Sequence, residues 1–212
     1  IALHGIIQMF SNGTRTFVFR QYLKKRLISE YFFGAIIGLS LSSIIIFVFI
    51  NLYEVESANE IKFDYLKPII GIYILWFLFL RRSKKEKNNK LFIIVGLISG
   101  ISSVFVGAVG PLISPFFIRK DLKKENVIAN KAGCQIITHI GKIPIFIYFF
   151  DFNYTEHYTI LLPLVLSVYI GTNIGKKLLG KLSEKTFKMF FKFSLTLIAV
   201  RLILGELLFI II

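Results

Sequence analysis

Seven apolar segments dominate the sequence, and short charged connectors join them. The segments cover residues 1–19, 31–52, 65–80, 91–118, 127–150, 160–179 and 187–212. With 55% hydrophobic residues and a mean hydropathy of +0.71, so much apolar surface cannot be buried inside a water-soluble domain. A membrane crossing takes about 20 residues. We therefore predict an all-α polytopic membrane protein with about six full crossings and one shorter element.

The charge of the connectors predicts the topology. The net charge of +14 arises from Lys and Arg spread over several connectors rather than gathered in one patch, which excludes a nucleic-acid partner. Connectors 20–26 and 81–90 are basic, whereas connector 54–64 is acidic. Because basic connectors stay on the cytoplasmic side, we expect a multi-pass protein of the cytoplasmic membrane with its first and third connectors inside.

The segment 91–118 has basic residues on both sides, so both of its ends are expected to lie in the cytoplasm. Glycines and prolines interrupt it between residues 96 and 115. This pattern predicts a re-entrant pair of half-helices that meet near residues 107–111. A single kinked crossing is the alternative, since membrane helices tolerate glycine and proline.

Two polar stripes with the same spacing interrupt the apolar pattern. Their residues recur at i, i+3, i+4 and i+7, which places each set on one face of a helix. The alternating connectors predict that the two helices run in opposite directions. The stripes are Gln8, Ser11, Asn12 and Arg15, and Gln135, Thr138, His139 and Lys142.

The stripes indicate a duplication. In the helix after each stripe a small-xxx-small pair follows, Gly34 with Gly38 and Gly171 with Gly175. We predict two inverted repeats, each with three transmembrane helices and a re-entrant broken helix. The first repeat covers 1–82, a basic cytoplasmic linker covers 83–90, and the second repeat covers 91–212. Because the chain begins at Ile1 in mid-helix without Met, we expect that the natural N-terminus, with the first re-entrant element, is missing.

A cation on each stripe predicts an anionic cargo. Burying Arg15 or Lys142 costs about 3 kcal/mol on insertion scales, and no Asp or Glu lies near them inside a segment. The half-helix from Pro111 would add backbone amides, and Ser114 a hydroxyl. The alternative is that both long side chains extend to the headgroups. His139 is either a titrating group that couples transport to protons or a neutral hydrogen-bonding residue.

Two other function classes are open. A membrane enzyme such as a lipid phosphatase needs acid/base carboxylates or a nucleophile at membrane depth, and the broken segment contains Ser114 but no Asp, Glu or His. A non-transporting membrane subunit would use the stripes for packing alone. The single cysteine, Cys134, excludes an internal disulfide. We expect no cofactor and no metal; the expected partners are a small anionic substrate and membrane lipid, and the oligomeric state is not indicated.

The stretch from Gly107 to Phe117, Gly-Ala-Val-Gly-Pro-Leu-Ile-Ser-Pro-Phe-Phe, resembles the GxGGGxxxxPxL-type signature of the TauE/SafE sulfite exporter family. The first stripe and the helix that carries Gly171 and Gly175 are also similar to that family. The resemblance implies export of sulfite, sulfonates and related organic anions by alternating access around a central anion site. It also implies that the glycines and prolines of the broken segment belong to this site. The expected substrate-binding residues are therefore Gln8, Ser11, Asn12, Arg15, Gly107, Gly110, Pro111, Ser114, Pro115, Gln135, Thr138, His139 and Lys142.

Overall fold

The computed structural model describes residues 2–53, 66–80, 91–106, 109–118 and 122–211, and the regular structure in these ranges is helical. Short 3₁₀ turns lie at Arg20–Tyr22, Ser114–Phe117 and Tyr154–His157, and a π-helical turn, Trp76–Leu80, extends the third α-helix. The α-helices are α1 Ala2–Val18, α2 Lys25–Tyr53, α3 Leu66–Leu75, α4 Leu91–Phe105, α5 Val109–Ile113, α6 Lys124–Phe150, α7 Tyr158–Lys181 and α8 Glu184–Ile211. The predicted all-α class is confirmed.

Among the described helices, three are long and apolar enough to cross a membrane: Lys25–Leu52, Lys124–Phe150 and Tyr158–Lys181. The apolar helices Leu66–Leu80 and Leu91–Phe105 are shorter. Fifteen helical residues rise only about 22 Å, less than the hydrocarbon core of about 30 Å. Over its described residues, Leu66–Leu80, one of the predicted full crossings, is therefore too short to cross alone, whereas Leu91–Phe105 belongs to the segment predicted to be re-entrant.

Several predicted features lie outside the described residues. These are the acidic connector 54–64, the whole basic connector 81–90 with the predicted linker 83–90, and Gly107 of the broken segment.

Helices α1 and α6 pack side by side and run in opposite directions. A methyl group added at Gly5 would approach Lys142, and one added at Gly13 would approach Ile136. Further along the pair, the buried Phe19 packs with Ala129. Residue numbers thus rise along α1 as they fall along α6, as the connector charges predict for the two stripe helices.

Side-chain amides at the start of α6 fix the turn that follows α1. Asn130 is fully buried; its Oδ1 accepts a hydrogen bond from the backbone N–H of Lys24 at 2.6 Å, and its Nδ2 donates to the carbonyl of Tyr22 at 3.1 Å. Asn126 Nδ2 donates to the same carbonyl at 2.8 Å. These bonds satisfy backbone groups that the short 3₁₀ turn leaves free. They therefore hold the end of α1 against α6.

Helices α2 and α4 pack backbone to backbone. A methyl group at Gly34 would overlap the carbonyl of Ile93, and one at Gly38 would overlap the carbonyl of Leu97. Such contact requires glycine, because any Cβ would separate the two helices. The buried Tyr31 hydroxyl is hydrogen-bonded to Ser99 across the same interface.

The matching glycines of α7 have a different environment. Methyl groups at Gly171 and Gly175 would meet no atom within 4 Å among the described residues. The two pairs therefore share their sequence spacing but not their packing. Among the described residues, Gly34 and Gly38 contact another helix, whereas Gly171 and Gly175 do not.

The segment 91–118 doubles back on itself. Helix α4 ends at Phe105, and α5 begins at Val109. The rings of Phe92 and Phe117, which lie at opposite ends of the segment, are in contact with centroids 5.5 Å apart. Leu112 in the returning part packs with the buried Ile74 of α3. Both ends of the broken segment therefore lie on the same side of the bundle.

Candidate functional site

The two polar stripes lie on the facing helices α1 and α6. Asn12, Thr138, His139 and Lys142 are almost completely buried, with 0–1% of each residue exposed. Ser11 and Gln135 are also buried, and Gln8 is half-buried. Arg15 alone among the eight stripe residues is exposed. Antiparallel packing thus brings most of the predicted polar residues into one buried seam.

Lys142 is the main positive charge of this seam. It is fully buried, and its Nζ has no hydrogen-bond partner among the described residues. Its stem lies against the backbone of α1, since a methyl group at Gly5 would come within 2.7 Å of Lys142 Cε. The Nζ also lies 6.0 Å from the centre of the Phe146 ring. An ammonium group without a hydrogen-bond acceptor in a dry site is costly, so this site favours an anion.

His139 lies one turn before Lys142 on α6. Both of its ring nitrogens are buried without a hydrogen-bond partner in the described part of the chain. The ring of His4 on α1 faces it edge-on, with the ring centroids 6.4 Å apart. The sequence analysis gave His4 no role. It stands four residues before Gln8 on the same helical face, so extending the stripe by one turn would have found it.

Amide and hydroxyl groups continue the seam. Asn12 Nδ2 is 3.5 Å from Gln8 Oε1, which is a long hydrogen bond, and Asn12 Oδ1 is buried without a partner. Thr138 Oγ1 donates to the carbonyl of Gln135 at 2.9 Å. The amide groups of Gln8 and Asn12 therefore supply donors that are not firmly held by other protein groups.

The broken segment reaches the seam at one point. A methyl group at Gly110 would lie 3.1 Å from Gln135 Nε2, so the α5 backbone passes directly beside this amide. Helix α5 begins at Val109, two residues earlier than the predicted start at Pro111, and has only five residues. Pro111 is half-buried and Pro115 is buried.

Ser114 is buried in this segment, and its Oγ donates to the carbonyl of Gly110 at 2.5 Å. Its proton is thus already used within the segment. Ser114 was expected to donate its hydroxyl to a ligand. In the structure the hydroxyl instead donates to the Gly110 carbonyl and stabilises the short helix α5.

Arg15 lies apart from Lys142. Gly5 faces Lys142, and Arg15 follows Gly5 by ten residues on α1, which corresponds to a rise of about 15 Å. The two stripe cations therefore cannot contact the same small ion in this conformation. The sequence predicted one shell around one anion; the packing places the cations at opposite ends of the seam.

The chemistry of the seam is basic and amide-rich. No stripe residue is a carboxylate, and the ion pairs found among the described residues, Arg26 with Glu30 and Lys124 with Glu125, lie elsewhere. Within the described ranges no group of three or more His, Cys, Asp or Glu side chains could hold a metal ion. Such a seam can bind and release a small anion, but it offers no acid/base carboxylate pair.

Comparison with known proteins agrees with the sequence and the geometry. The family model described as Sulfite exporter TauE/SafE matches residues 1–202. No curated protein and no solved structure matches the chain significantly. The members of the matching family are transporters rather than enzymes, so the lipid-phosphatase alternative is set aside.

Proposed function

The chain belongs to the TauE/SafE sulfite exporter family of membrane transporters, and from this premise we propose that Lys142 and His139 form the centre of its anion site. The cargo is a small sulfur oxyanion such as sulfite, or an organic sulfonate. One observation carries the proposal: the Lys142 ammonium and both His139 ring nitrogens are buried together without hydrogen-bond partners in the described part of the chain. A bound oxyanion would accept hydrogen bonds from these groups.

The surrounding groups complete the site in this proposal. Gln8 and Asn12 donate from α1, while Gln135 and Thr138 line the α6 side. Gly110 lets the broken segment approach Gln135, and Pro111, Ser114 and Pro115 shape that segment. Gly107 is assigned by the family resemblance alone. Because sulfite and sulfonates carry oxygens on one face, several weak donors and one cation are enough to bind such an ion reversibly.

Transport requires that a closed site be opened in turn to each side. Lys142 is fully buried, so the present conformation is closed around it. We propose alternating access between two inverted units. Three features support it. Helices α1 and α6 pack antiparallel, and the segment 91–118 doubles back. Helix α3 also packs antiparallel against α8, since Gly71 lies beside Ala199 and Phe79 beside Lys192. The units are 1–82 and 91–212, joined by the basic linker 83–90.

We propose the cytoplasmic membrane as its location, with the basic connectors on the cytoplasmic side. Outward movement of the anion would then make the protein an exporter. His139, facing His4, is the group through which protons would couple to this movement.

The test is flux of radiolabelled sulfite, and separately of a small sulfonate, into proteoliposomes. Lys142→Gln is compared with the parent at matched reconstitution, and Lys177→Gln serves as the control because Lys177 is an exposed lysine of α7. We expect anion flux in the parent and in the control, and its loss in Lys142→Gln. Unchanged flux in Lys142→Gln would overturn the site. Changed assembly with unchanged flux would instead favour the packing role of a non-transporting subunit.

A further inference from the structure

We infer that the protein has a second oxyanion site at the opposite end of the seam, built from Ser11, Arg15, Lys131 and Lys176. This inference rests on the proposed function in one respect: the transported ion is taken to be a sulfur oxyanion. The site lies in a cavity of about 410 Å³ that is bounded by α1, α6, α7 and the start of α8.

Ser11 places a polar side chain in the wall of this cavity. It lines the cavity wall and is only 4% exposed. In the described part of the chain its hydroxyl has no hydrogen-bond partner, unlike Thr16, which donates to the carbonyl of Asn12. A hydroxyl on a cavity-lining residue that is not bonded to its own helix is available to a ligand.

Two cations line this cavity, and a third lies near one of them. Arg15 and Lys176 line the cavity, and Lys131 of α6 is close enough to Arg15 for their charges to repel. The nearby Glu184 carboxylate accepts from the backbone N–H of Lys124 instead. A bound anion would relieve the repulsion between these like charges, and none of the ion pairs found among the described residues involves them.

Lys176 also holds the cavity in place. Its Nζ donates to the carbonyl of Val18 at 3.2 Å and lies 5.8 Å from the centre of the Phe19 ring. This contact ties α7 to the end of α1 and leaves the ammonium charge at the cavity rim. It explains the position of Lys176. Lys131 Nζ lies 5.5 Å from the centre of the Phe191 ring, whereas Arg15 has no ion-pair partner among the described residues.

The arrangement repeats that of the first site. Lys131 precedes Gln135 by four residues, as His4 precedes Gln8. In the first site His4 of α1 lies near His139 and Lys142 of α6; in the second, Lys131 of α6 lies near Arg15 of α1. Because α1 and α6 run in opposite directions, the α6 stripe cation, Lys142, lies at one end of the seam and the α1 stripe cation, Arg15, lies at the other. The two sites are therefore counterparts, about 15 Å apart along α1.

The ligand is an oxyanion that an arginine fork and a hydroxyl can bind together. Two sources have this chemistry. One is the transported ion on its path to or from Lys142. The other is the phosphate of an anionic lipid, whose chains would lie along the open apolar face of α7 beside Gly171 and Gly175.

The experiment counts bound ions on the purified protein in detergent. Equilibrium dialysis with radiolabelled sulfite measures the number of equivalents, and native mass spectrometry after incubation with phosphatidylglycerol measures retained lipid. The variants are Arg15→Gln, Ser11→Ala and Lys176→Gln, with Lys177→Gln as the matched control. Ser11→Ala remains informative if Arg15→Gln does not fold, because it removes only a hydroxyl group.

We expect the parent to bind two equivalents of sulfite. The three variants should bind one, at the Lys142 site. Lys142→Gln should also bind one, at the second site. If sulfite binds once but retained phosphatidylglycerol falls in the three variants, the site stands with lipid phosphate as its ligand. Unchanged sulfite and lipid binding in all three variants would overturn the site. That result leaves the Lys142 proposal intact. If instead the parent shows no sulfite flux but Arg15→Gln loses one bound equivalent, the second site stands and the proposed function fails.

Discussion

Gly5 of α1 faces Lys142 of α6 so closely that a methyl group at Gly5 would lie 2.7 Å from Lys142 Cε. The glycine is therefore part of the lysine's environment: it provides the space through which the ammonium group reaches the seam. This space matters because Lys142 is fully buried and its Nζ has no hydrogen-bond partner among the described residues.

Gly5→Ala is expected to displace the Lys142 side chain. The atom that the methyl group would meet is near the end of a flexible side chain, so the displacement should cost little stability. The melting temperature in detergent should be nearly unchanged, while sulfite flux should fall. Gly205→Ala on α8 is the matched control, because a methyl group there meets no described atom within 4 Å. Equal flux in the two variants would contradict the contact.

Lys142→Met is expected to separate stability from transport. Methionine has similar length and no charge, so it removes a buried ammonium group that lacks a hydrogen bond. The melting temperature should be unchanged or higher, while sulfite flux should be lost. Thermal unfolding with and without sulfite measures stability and binding, and proteoliposome flux measures transport. Sulfite should stabilise the parent more than Lys142→Met, because the variant keeps only the second site. A lower melting temperature would indicate that Lys142 has a structural role.

Gly38→Ala is expected to push α2 away from α4. Its methyl group would lie 3.0 Å from Gly100 Cα and would overlap the Leu97 carbonyl, and neither backbone can move alone. We expect a loss of about 1–3 kcal/mol in the free energy of unfolding. Gly180→Ala on α7, where a methyl group has open space, should be close to neutral. Denaturant titration of both variants checks the prediction, and an equal effect would reject the close packing of α2 and α4.

Tyr31→Phe is expected to remove the buried hydrogen bond between α2 and α4. The Tyr31 hydroxyl is bonded to Ser99, and both residues are completely buried. The free energy of unfolding should fall by about 1 kcal/mol. The double variant with Ser99→Ala should cost less than the sum of the single changes, because both remove the same bond. Additive costs would mean that the two hydroxyls act independently; Tyr169→Phe, at an exposed position, is the control.

The sequence predicted the helices and the seam but not every residue in it. Apolar periodicity is a local property, so the seven apolar segments correspond to the helices and the broken segment, with changes mainly at their ends; α2, for example, begins at Lys25 rather than near residue 31. The stripes were found because a polar residue every three or four positions is visible without a structure. His4 and Lys131 were missed because each is separated from its stripe by one further turn.

The glycine pairs show where sequence spacing stops being informative. Gly34 with Gly38 and Gly171 with Gly175 have the same spacing, yet only the first pair contacts another helix in the described structure. Spacing defines the face of a helix, whereas the neighbour that covers it depends on the packing of distant segments.

By itself, the sequence determined that this protein is an all-helical membrane chain with two polar stripes on opposed helices, since hydrophobicity and helical period act within one segment. Only the tertiary structure decided which stripe residues meet. Because α1 and α6 cross in antiparallel, residues at the centre of each stripe come together and the cations at their ends separate. Lys142 therefore lies buried beside Gly5, His4 and His139, while Arg15 lies about 15 Å away beside α7.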